Sequence, residues 1–334
     1  MNPDAKAAAT AFSDATAHEK SAPSIAPPLA RREPVETVVH GDRRVDHYAW
    51  LREKDNPEVI AYLEAENGYT DAILRPTENF QEALYQEMVG RILQSDVSVP
   101  YRLRGYLYFT TTEQGKQYPI RCRRVDSGGS LDEVLLDMNR LAEGHSFLGL
   151  GAIDVSSDNQ LVAYALDTTG FRQYTLHIKN LWSGRDFPEA IERVTSAAWA
   201  ADNRTLFYTV EDATTKRSYR LYRHVVGSAE ADTLIYEEAD ERFRLEIERT
   251  RSGAFLLLVI ASHTASEVRF LPAAQPNGAF RVIAERQADH EYYVDHHPNP
   301  LTRENRGANP YDVGGYFFIR SNSRGRTFRL MRAP

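Results

Sequence analysis

The sequence predicts a mainly β protein, an incomplete β-propeller preceded by a helical N-terminal arm. Three observations predict it. From Val97 onward the helical period vanishes, and short strand-like runs alternate with turn residues. These runs fall into sets whose second strands begin near Tyr106, Leu161, Leu206, Phe255 and Tyr316. That spacing is close to the ~40–50 residues of a four-stranded propeller blade, with longer first and last steps. Finally, "SAAWAADNRTLFYTVED" at 196–212 repeats the strand, turn and strand of "GAIDVSSDNQLVAYALD" at 151–167. A four-stranded antiparallel meander repeated radially is a propeller; the alternative is an ordinary sandwich with accidental spacing.

The elements follow in order. Residues 1–30 are rich in Ala, Ser and Pro and are expected to be a disordered tail, because such a composition does not offset its own ordering entropy. They lack the basic start and long apolar stretch of a secretory signal. Residues 31–96 form the arm. In "HGDRRVDHYAWLREKDNP", Tyr48, Trp50 and Leu51 stand among charges, which predicts an extended segment anchored on another surface. Asn56-Pro57 opens a helix carrying Ile60, Tyr62, Leu63 and Ile73, since Asn caps and Pro suits the first helical position. Pro76 ends it, and Thr77 is expected to cap a second helix. There Phe80, Leu84, Met88 and Ile92 recur at four-residue steps as one apolar stripe that needs a partner.

Residues 97–334 are expected to hold four full blades and most of a fifth. The first set is "RGYLYFTTTE", "YPIRCRRV" and "EVLLDM". The second is "LGLGAIDVS", "QLVAYALD", "QYTLHIKNL" and "IERVTS". The third runs from "SAAWAA" to "TLIYEE" and the fourth from "FRLEIERT" to "FRVIAER". Asp158-Asn159, Asp202-Asn203 and Ser252-Gly253 supply hairpin turns between first and second strands. The fifth set contains "HEYYVDHH", "YFFIRSN" and "TFRLMRAP", lacks an outer strand, and carries a polar insertion at 298–315.

Composition narrows the functional classes. A net charge of −7 argues against bulk nucleic-acid binding. No stretch reaches the ~18 apolar residues of a membrane helix. The single cysteine, Cys122, rules out a disulfide framework within the chain and any Cys-x-x-Cys site. It suits a reducing, cytoplasmic setting. No cofactor and no metal ligand set is expected.

The search for chemistry yields no catalytic residue. Gly144-His145-Ser146-Phe147-Leu148 is the nearest approach to a nucleophile elbow, but the fifth position is not Gly and no strand precedes it. Asp295, His296 and His297 form the one cluster of metal-ligand type, yet adjacent strand residues point to opposite faces. These imidazoles, and the isolated His224, His263 and His290, are expected to be solvated. The acidic pairs Glu237-Glu238 and Asp240-Glu241 are expected to form a solvated rim. Tyr106, Tyr108, Trp199, Phe207, Tyr208 and Tyr222 fall at strand positions and are assigned to blade packing.

Several long segments carry a family resemblance. "HGDRRVDHYAWLREKDNPEVIAYLEAENGYTDAIL", "VPYRLRGYLYFTTTEQGKQYPIRCRR", "AEGHSFLGLGAIDVSSDNQLVAYALDTTGFRQYTLHIKNL" and "AAWAADNRTLFYTVEDATTKRSYRLYRH" resemble the oligopeptidase B branch of the prolyl oligopeptidase family, from about Pro34 to the last residue. The resemblance implies a seven-bladed propeller, not closed by strand exchange between its ends, that covers an α/β-hydrolase domain with a Ser-Asp-His triad and admits only short peptides. It implies that the arm packs on that domain. It implies a serine-type endopeptidase that cuts after Arg or Lys, with short basic peptides as partners. The chain departs from the pattern by ending within the fifth blade. The hydrolase domain is absent, so no residue here inherits a catalytic role, and a truncated, frameshifted or split gene is the expectation. The competing readings are an incomplete peptidase, a propeller scaffold that complements a separate hydrolase chain or self-associates through its open blade edge, and an independent enzyme with an unrecognised site.

Overall fold

A positive φ at two successive residues closes the first element. His40 (φ 54°) and Gly41 (φ 82°) turn β1 (Val35–Val39) onto β2 (Asp42–Asp46). That geometry is the type I′ hairpin. The sequence predicts only an extended segment here, because His at the first turn position lacks the usual Asn or Asp signal. The computed structural model describes residues 25–128, 131–298 and 314–334. Most of the expected tail (1–30) and of the insertion (298–315) lies outside the described residues. The chain divides after Leu93 into two compact units.

In the first unit, Trp50 is buried and donates from Nε1 to the Arg31 carbonyl at 2.9 Å. Asn56 caps α1 (Pro57–Leu74) as its sequence predicts, accepting from the Glu58 N–H at 2.9 Å. Thr77 does not cap α2 (Glu78–Gly90). It sits inside a single 3₁₀ turn, Arg75–Thr77, and its hydroxyl donates back to the Leu74 carbonyl at 2.7 Å. Pro76 causes this, since it suits the start of a tight turn while leaving Thr77 in helical φ/ψ. On α2, Phe80, Leu84 and Met88 are exposed, and so is Ile92 just beyond it.

The second unit is mainly β, with five successive antiparallel sheets. The first joins β3 (Asp96–Val97), β4 (Tyr101–Leu103), β5 (Tyr106–Thr112), β6 (Ile120–Val125) and β7 (Glu133–Asp137), with β3 and β4 both pairing to β5. After a short helical turn, α3 (Met138–Leu141), comes the second: β8 (Gly149–Val155), β9 (Leu161–Asp167), β10 (Thr175–Asn180) and β11 (Asp186–Ile191). The third is β12 (Val194–Trp199), β13 (Thr205–Glu211), β14 (Ser218–Val225) and β15 (Thr233–Glu237). The fourth is β16 (Arg244–Arg249), β17 (Phe255–Ala261), β18 (Ser266–Pro272) and β19 (Arg281–Ala284). The fifth has three strands, β20 (Tyr292–His297), β21 (Tyr316–Ser321) and β22 (Arg329–Ala333). These are five blades of a β-propeller, as the spacing predicts.

The apolar runs explain the stacking. Second strands such as β9, β13 and β17 are buried along most of their length on both faces, the signature of a strand sandwiched between layers. Four apolar clusters result, each joining neighbouring sheets. Tyr108, Leu136 and Val162 join the first and second, and Leu176, Trp199 and Leu206 the second and third. Phe207, Leu245 and Leu258 join the third and fourth, and Leu257, Tyr292 and Phe317 the fourth and fifth. None of the four joins the first sheet to the fifth.

The predicted turns hold as left-handed positions: Asn159 φ 62°, Asn203 φ 57°, Gly253 φ 72°. They also tie blades together. The Asp158 N–H donates to Asn203 Oδ1 at 3.1 Å, and the Arg251 N–H donates to Asp295 Oδ1 at 3.0 Å.

One strand differs from the sequence reading. "IERVTS" is not the outer strand of the second blade. It spans the turn at Arg193 (φ 59°) between β11 and β12. The true outer strand is "DFPEAI", and its ladder to β10 is broken around Pro188, with a register shift between His177 and Lys179. Proline is confined to edge strands because it donates nothing to a ladder, so its presence masked the strand.

Candidate functional site

The first strands β8, β12 and β16 lie side by side, which makes them the inner strands of their blades. On β16 the sequence R-L-E-I-E-R alternates strictly: Leu245 and Ile247 are buried between blades, while Arg244, Glu246 and Glu248 are exposed. On β20, Tyr293 and His297 are exposed with Asp295 between them, and Tyr292 and His296 are buried. This is period-two geometry, with the exposed groups of each strand on one face.

The carboxylates of these strands sense one another. Partial desolvation of Glu248, followed by the charges of Glu246 and Asp295, pushes its carboxyl above the usual range. Asp154, on β8, is likewise raised by desolvation, with the Trp199 N–H (3.1 Å), Arg104 and Arg249 opposing. Arg249 is lowered by burial and by repulsion from Arg104. Its guanidinium donates to the Gly253 carbonyl and Arg104 to the Val155 carbonyl at 2.6 Å, so both are pinned to backbone.

Two cavities open at opposite ends of the inner strands. One of about 470 Å³ lies at the turn end, lined by Arg104, Asp154, Ala198, Glu248 and Arg251. The other, about 590 Å³, lies between the third and fourth blades and is lined by Thr195, Ser196, Lys216, Arg244, Glu246 and His263 among others.

The residues considered from sequence are distributed as follows. Ser146 lies in coil between α3 and β8, after Gly144 at φ 84°, so a helical turn and not a strand precedes it. His296 and His297 point to opposite faces, as strand alternation requires, but His296 is not solvated. It is buried against Phe255 and Phe317, its Nδ1 lies 2.9 Å from the Ser252 hydroxyl, and burial lowers its pKa. His224 is also buried, with Nδ1 2.7 Å from Asp232 and Nε2 3.7 Å from Glu189. His290 contacts the Ser321 hydroxyl at 2.9 Å, while His263 is exposed in a turn. The solvated rim is corrected at Glu238, which is buried and held by Arg286 at 2.6 Å and the Tyr236 hydroxyl at 3.0 Å, whereas Glu237 and Glu241 are exposed. For His224, His296 and Glu238, residues of the neighbouring blade (Glu189, Phe255 and Arg286) cover a group that its own strand would leave open. Cys122 is buried, which raises its thiol pKa. The aromatics pack blades: Tyr208 stacks on Tyr222 at 5.6 Å, Phe207 meets Phe280 edge-on, and Trp199 Nε1 donates to the Asp154 carbonyl at 3.1 Å. Tyr108 stacks on Tyr101 at 5.5 Å, and Tyr106 tilts against it. Among the described residues no His, Cys, Asp or Glu side chains gather as a metal site, and no helix is long and apolar enough to cross a membrane.

Sequence reasoning overlooked the charged groups of β16. The signal was present in the strict alternation of "RLEIER", where every second residue is charged.

Residues 27–334 match the prolyl oligopeptidase, N-terminal beta-propeller domain. The chain belongs to the prolyl oligopeptidase family. Within that family it is 39% identical to the dipeptidyl aminopeptidase BI of Pseudoxanthomonas mexicana over 328 residues, covering 92% of this chain and 43% of that protein. Protease 2 of Moraxella lacunata is 33% identical over 316 residues, covering 92% and 43%. Oligopeptidase B from Leishmania major superposes with a TM-score of 0.80 at 25% identity, covering 92% of this chain and 44% of that one. Oligopeptidase B from Trypanosoma brucei, with covalently bound antipain, gives 0.77 at 26%, with the same coverage. The chain thus spans less than half the length of the relatives it matches, and the part matched is the propeller with its preceding arm. No Gly-x-Ser-x-Gly occurs in its 334 residues.

Proposed function

We propose that this chain is the propeller portion of a serine-type oligopeptidase that cuts short peptides after Arg or Lys, and that its axial channel filters the substrates. One observation supports it most directly. Glu246 and Glu248 on β16 and Asp295 on β20 share one field: after desolvation, the charges of Glu246 and Asp295 raise the Glu248 pKa. Arg251 pairs with Asp295, and Arg102, Arg104 and Arg249 line the same cavity as Glu248, but Glu246 and Glu248 carry no ion pair among the described residues and can each attract a cationic side chain. In the complete seven-bladed propeller that the resemblance implies, a channel ringed by blades admits an extended peptide and excludes a folded domain. Catalysis then belongs to a hydrolase domain that supplies nucleophile, base and oxyanion donors together. The lone buried thiol suits a reducing compartment such as the cytoplasm.

The relative at 39% identity favours a second reading, release of dipeptides from free N-termini. A blocked substrate separates the two. The chain is fused to a hydrolase domain of the family and assayed on N-acetylated peptides with Arg, Lys or Leu before a chromogenic amide. We expect hydrolysis after Arg and Lys, inhibited by serine-reactive reagents, and none from the 334-residue chain alone. In the fusion, Glu248→Gln lowers kcat/KM for the Arg peptide and leaves the Leu peptide unchanged. Equal rates for Arg and Leu, or cleavage only of unblocked peptides, would overturn the reading. A scaffold would show neither activity.

A further inference from the structure

The cavity of about 590 Å³ between the third and fourth blades has the size of a small-ligand site. Its polar lining is mostly satisfied from within. Thr195 Oγ1 lies 2.7 Å from Thr209 Oγ1 and 2.9 Å from Ser218 Oγ, and Ser196 Oγ accepts from the Ile247 N–H at 2.9 Å. Lys216 sits 3.5 Å from Glu211. Arg242 is held by Asp240 through Nη2 at 2.6 Å and Nε at 3.0 Å.

Two charged side chains are left over. Neither the Arg244 guanidinium nor the Glu246 carboxylate has a hydrogen bond or ion pair among the described residues. They are not paired with each other. Both are exposed on the same face of β16, two residues apart, and two strand steps of ~3.3 Å separate their stems by roughly 6–7 Å. A rigid strand therefore presents one free cation and one free anion on stems of fixed separation, beside a floor of hydroxyls already committed to one another.

The ligand with the complementary pair is a peptide end. An α-carboxylate and the cation at the tip of a lysine or arginine side chain are opposite charges separated by the length of that side chain, comparable to the spacing on β16. We infer that this pocket binds peptides that end in a basic residue with a free carboxylate, with Arg244 taking the carboxylate and Glu246 the side-chain cation. This rests on the proposed cleavage after Arg or Lys, because such cleavage generates that terminus on one product. The pocket then acts as a product site on the propeller, and it distinguishes a peptide's end from an internal basic residue. A carboxylate on an aspartate or glutamate side chain offers the same group to Arg244 without the accompanying cation.

Calorimetric titration of the 334-residue chain tests this with already cleaved peptides, so the outcome does not depend on turnover and leaves the cleavage reading to be judged by its own assay. The probes are acetyl-Ala-Ala-Lys as acid and as amide, acetyl-Ala-Ala-norleucine acid, and acetyl-Ala-Asp-Ala amide. The Lys acid is expected to bind at least about tenfold more tightly than each of the others, the strength of one charge-assisted contact. Arg244→Gln should erase the preference for acid over amide and keep that for Lys over norleucine. Glu246→Gln should do the reverse. Both side chains are exposed and unpaired, so neither variant should unfold below the wild-type temperature, and Glu246→Gln also relieves repulsion on Glu248. Equal binding of acid and amide, equal binding of Lys and norleucine, tighter binding of the Asp peptide, or an Arg244→Gln variant that keeps the acid preference overturns the proposal. So does the absence of binding.

Discussion

Arg286 holds its guanidinium 2.6 Å from the carboxylate of Glu238, a residue only 4% exposed, and places the same group 4.2 Å from the ring of Phe243. The pair joins the outer edges of the third and fourth blades. Burial pushes the Glu238 carboxyl up, but Arg286, the Asp240 N–H and the Tyr236 hydroxyl outweigh it and hold the group below its ordinary 4.5. Removing the cation strands a buried charge. Arg286→Met should therefore destabilise the chain by about 3 kcal/mol, the low end for breaking a buried pair because the guanidinium is 26% exposed. Adding Glu238→Leu should recover most of that loss. Urea denaturation of the single and double variants measures both. The folded pKa is depressed, so the stabilisation is present above pH 4.5 and fades as pH falls through the folded value. The gap between wild type and Glu238→Gln should close in acid.

Glu248 gives the opposite sign. Its folded pKa is raised by desolvation and then by Glu246 and Asp295, so its ionised form is disfavoured in the native state. Glu248→Gln should stabilise the chain at neutral pH. That gain should vanish as pH falls through the raised folded pKa toward the ordinary 4.5, below which the folded and unfolded carboxyls are both protonated. Thermal unfolding at a series of pH values reads the crossover. A variant less stable than wild type at pH 7 contradicts it.

Asn203 tests the turns. Its φ of 57° favours Gly or Asn, and its side chain accepts from the Asp158 N–H of the neighbouring blade. Asn203→Gly keeps the backbone but loses the bond, at about 1 kcal/mol. Asn203→Ala adds left-handed strain, for about 2 kcal/mol in all. Chemical denaturation should rank them in that order.

The outer edge of β22 tests association. The strand pairs with β21 on one side, and among the described residues no strand covers the other. Leu330 is 70% exposed there, beside Arg326, Arg329 and Arg332. Free edge groups template pairing with another chain, and charge opposes it. Sedimentation of the 334-residue chain should show concentration-dependent association, weakened by Leu330→Lys. A monomer at all concentrations removes this edge as an interface.

The blades were legible because second strands are buried on both sides. "LVAYALD" and "TLFYTVE" must then be nearly continuous apolar runs, and Asn or Gly must stand at the left-handed positions between hairpin strands. The helix start at Asn56-Pro57 was legible for the same local reason, a side chain meeting its own backbone. Thr77 and the outer strand "DFPEAI" were obscured by Pro76 and Pro188, whose local signals conflict with the elements around them.

Tertiary structure alone decided the fate of the charges. His224, His296 and Glu238 read as solvated because their strands leave them open, and the neighbouring residues Glu189, Phe317 and Arg286 that enclose them are distant in sequence. The carboxylates of β16 and β20 are the same case in reverse: Glu248 and Asp295 belong to different blades, and only the stacking of those blades brings the two into one field. Secondary structure is set by interactions a few residues long, which a sequence displays. Burial and electrostatic coupling depend on separations through space, which appear only after the blades have packed.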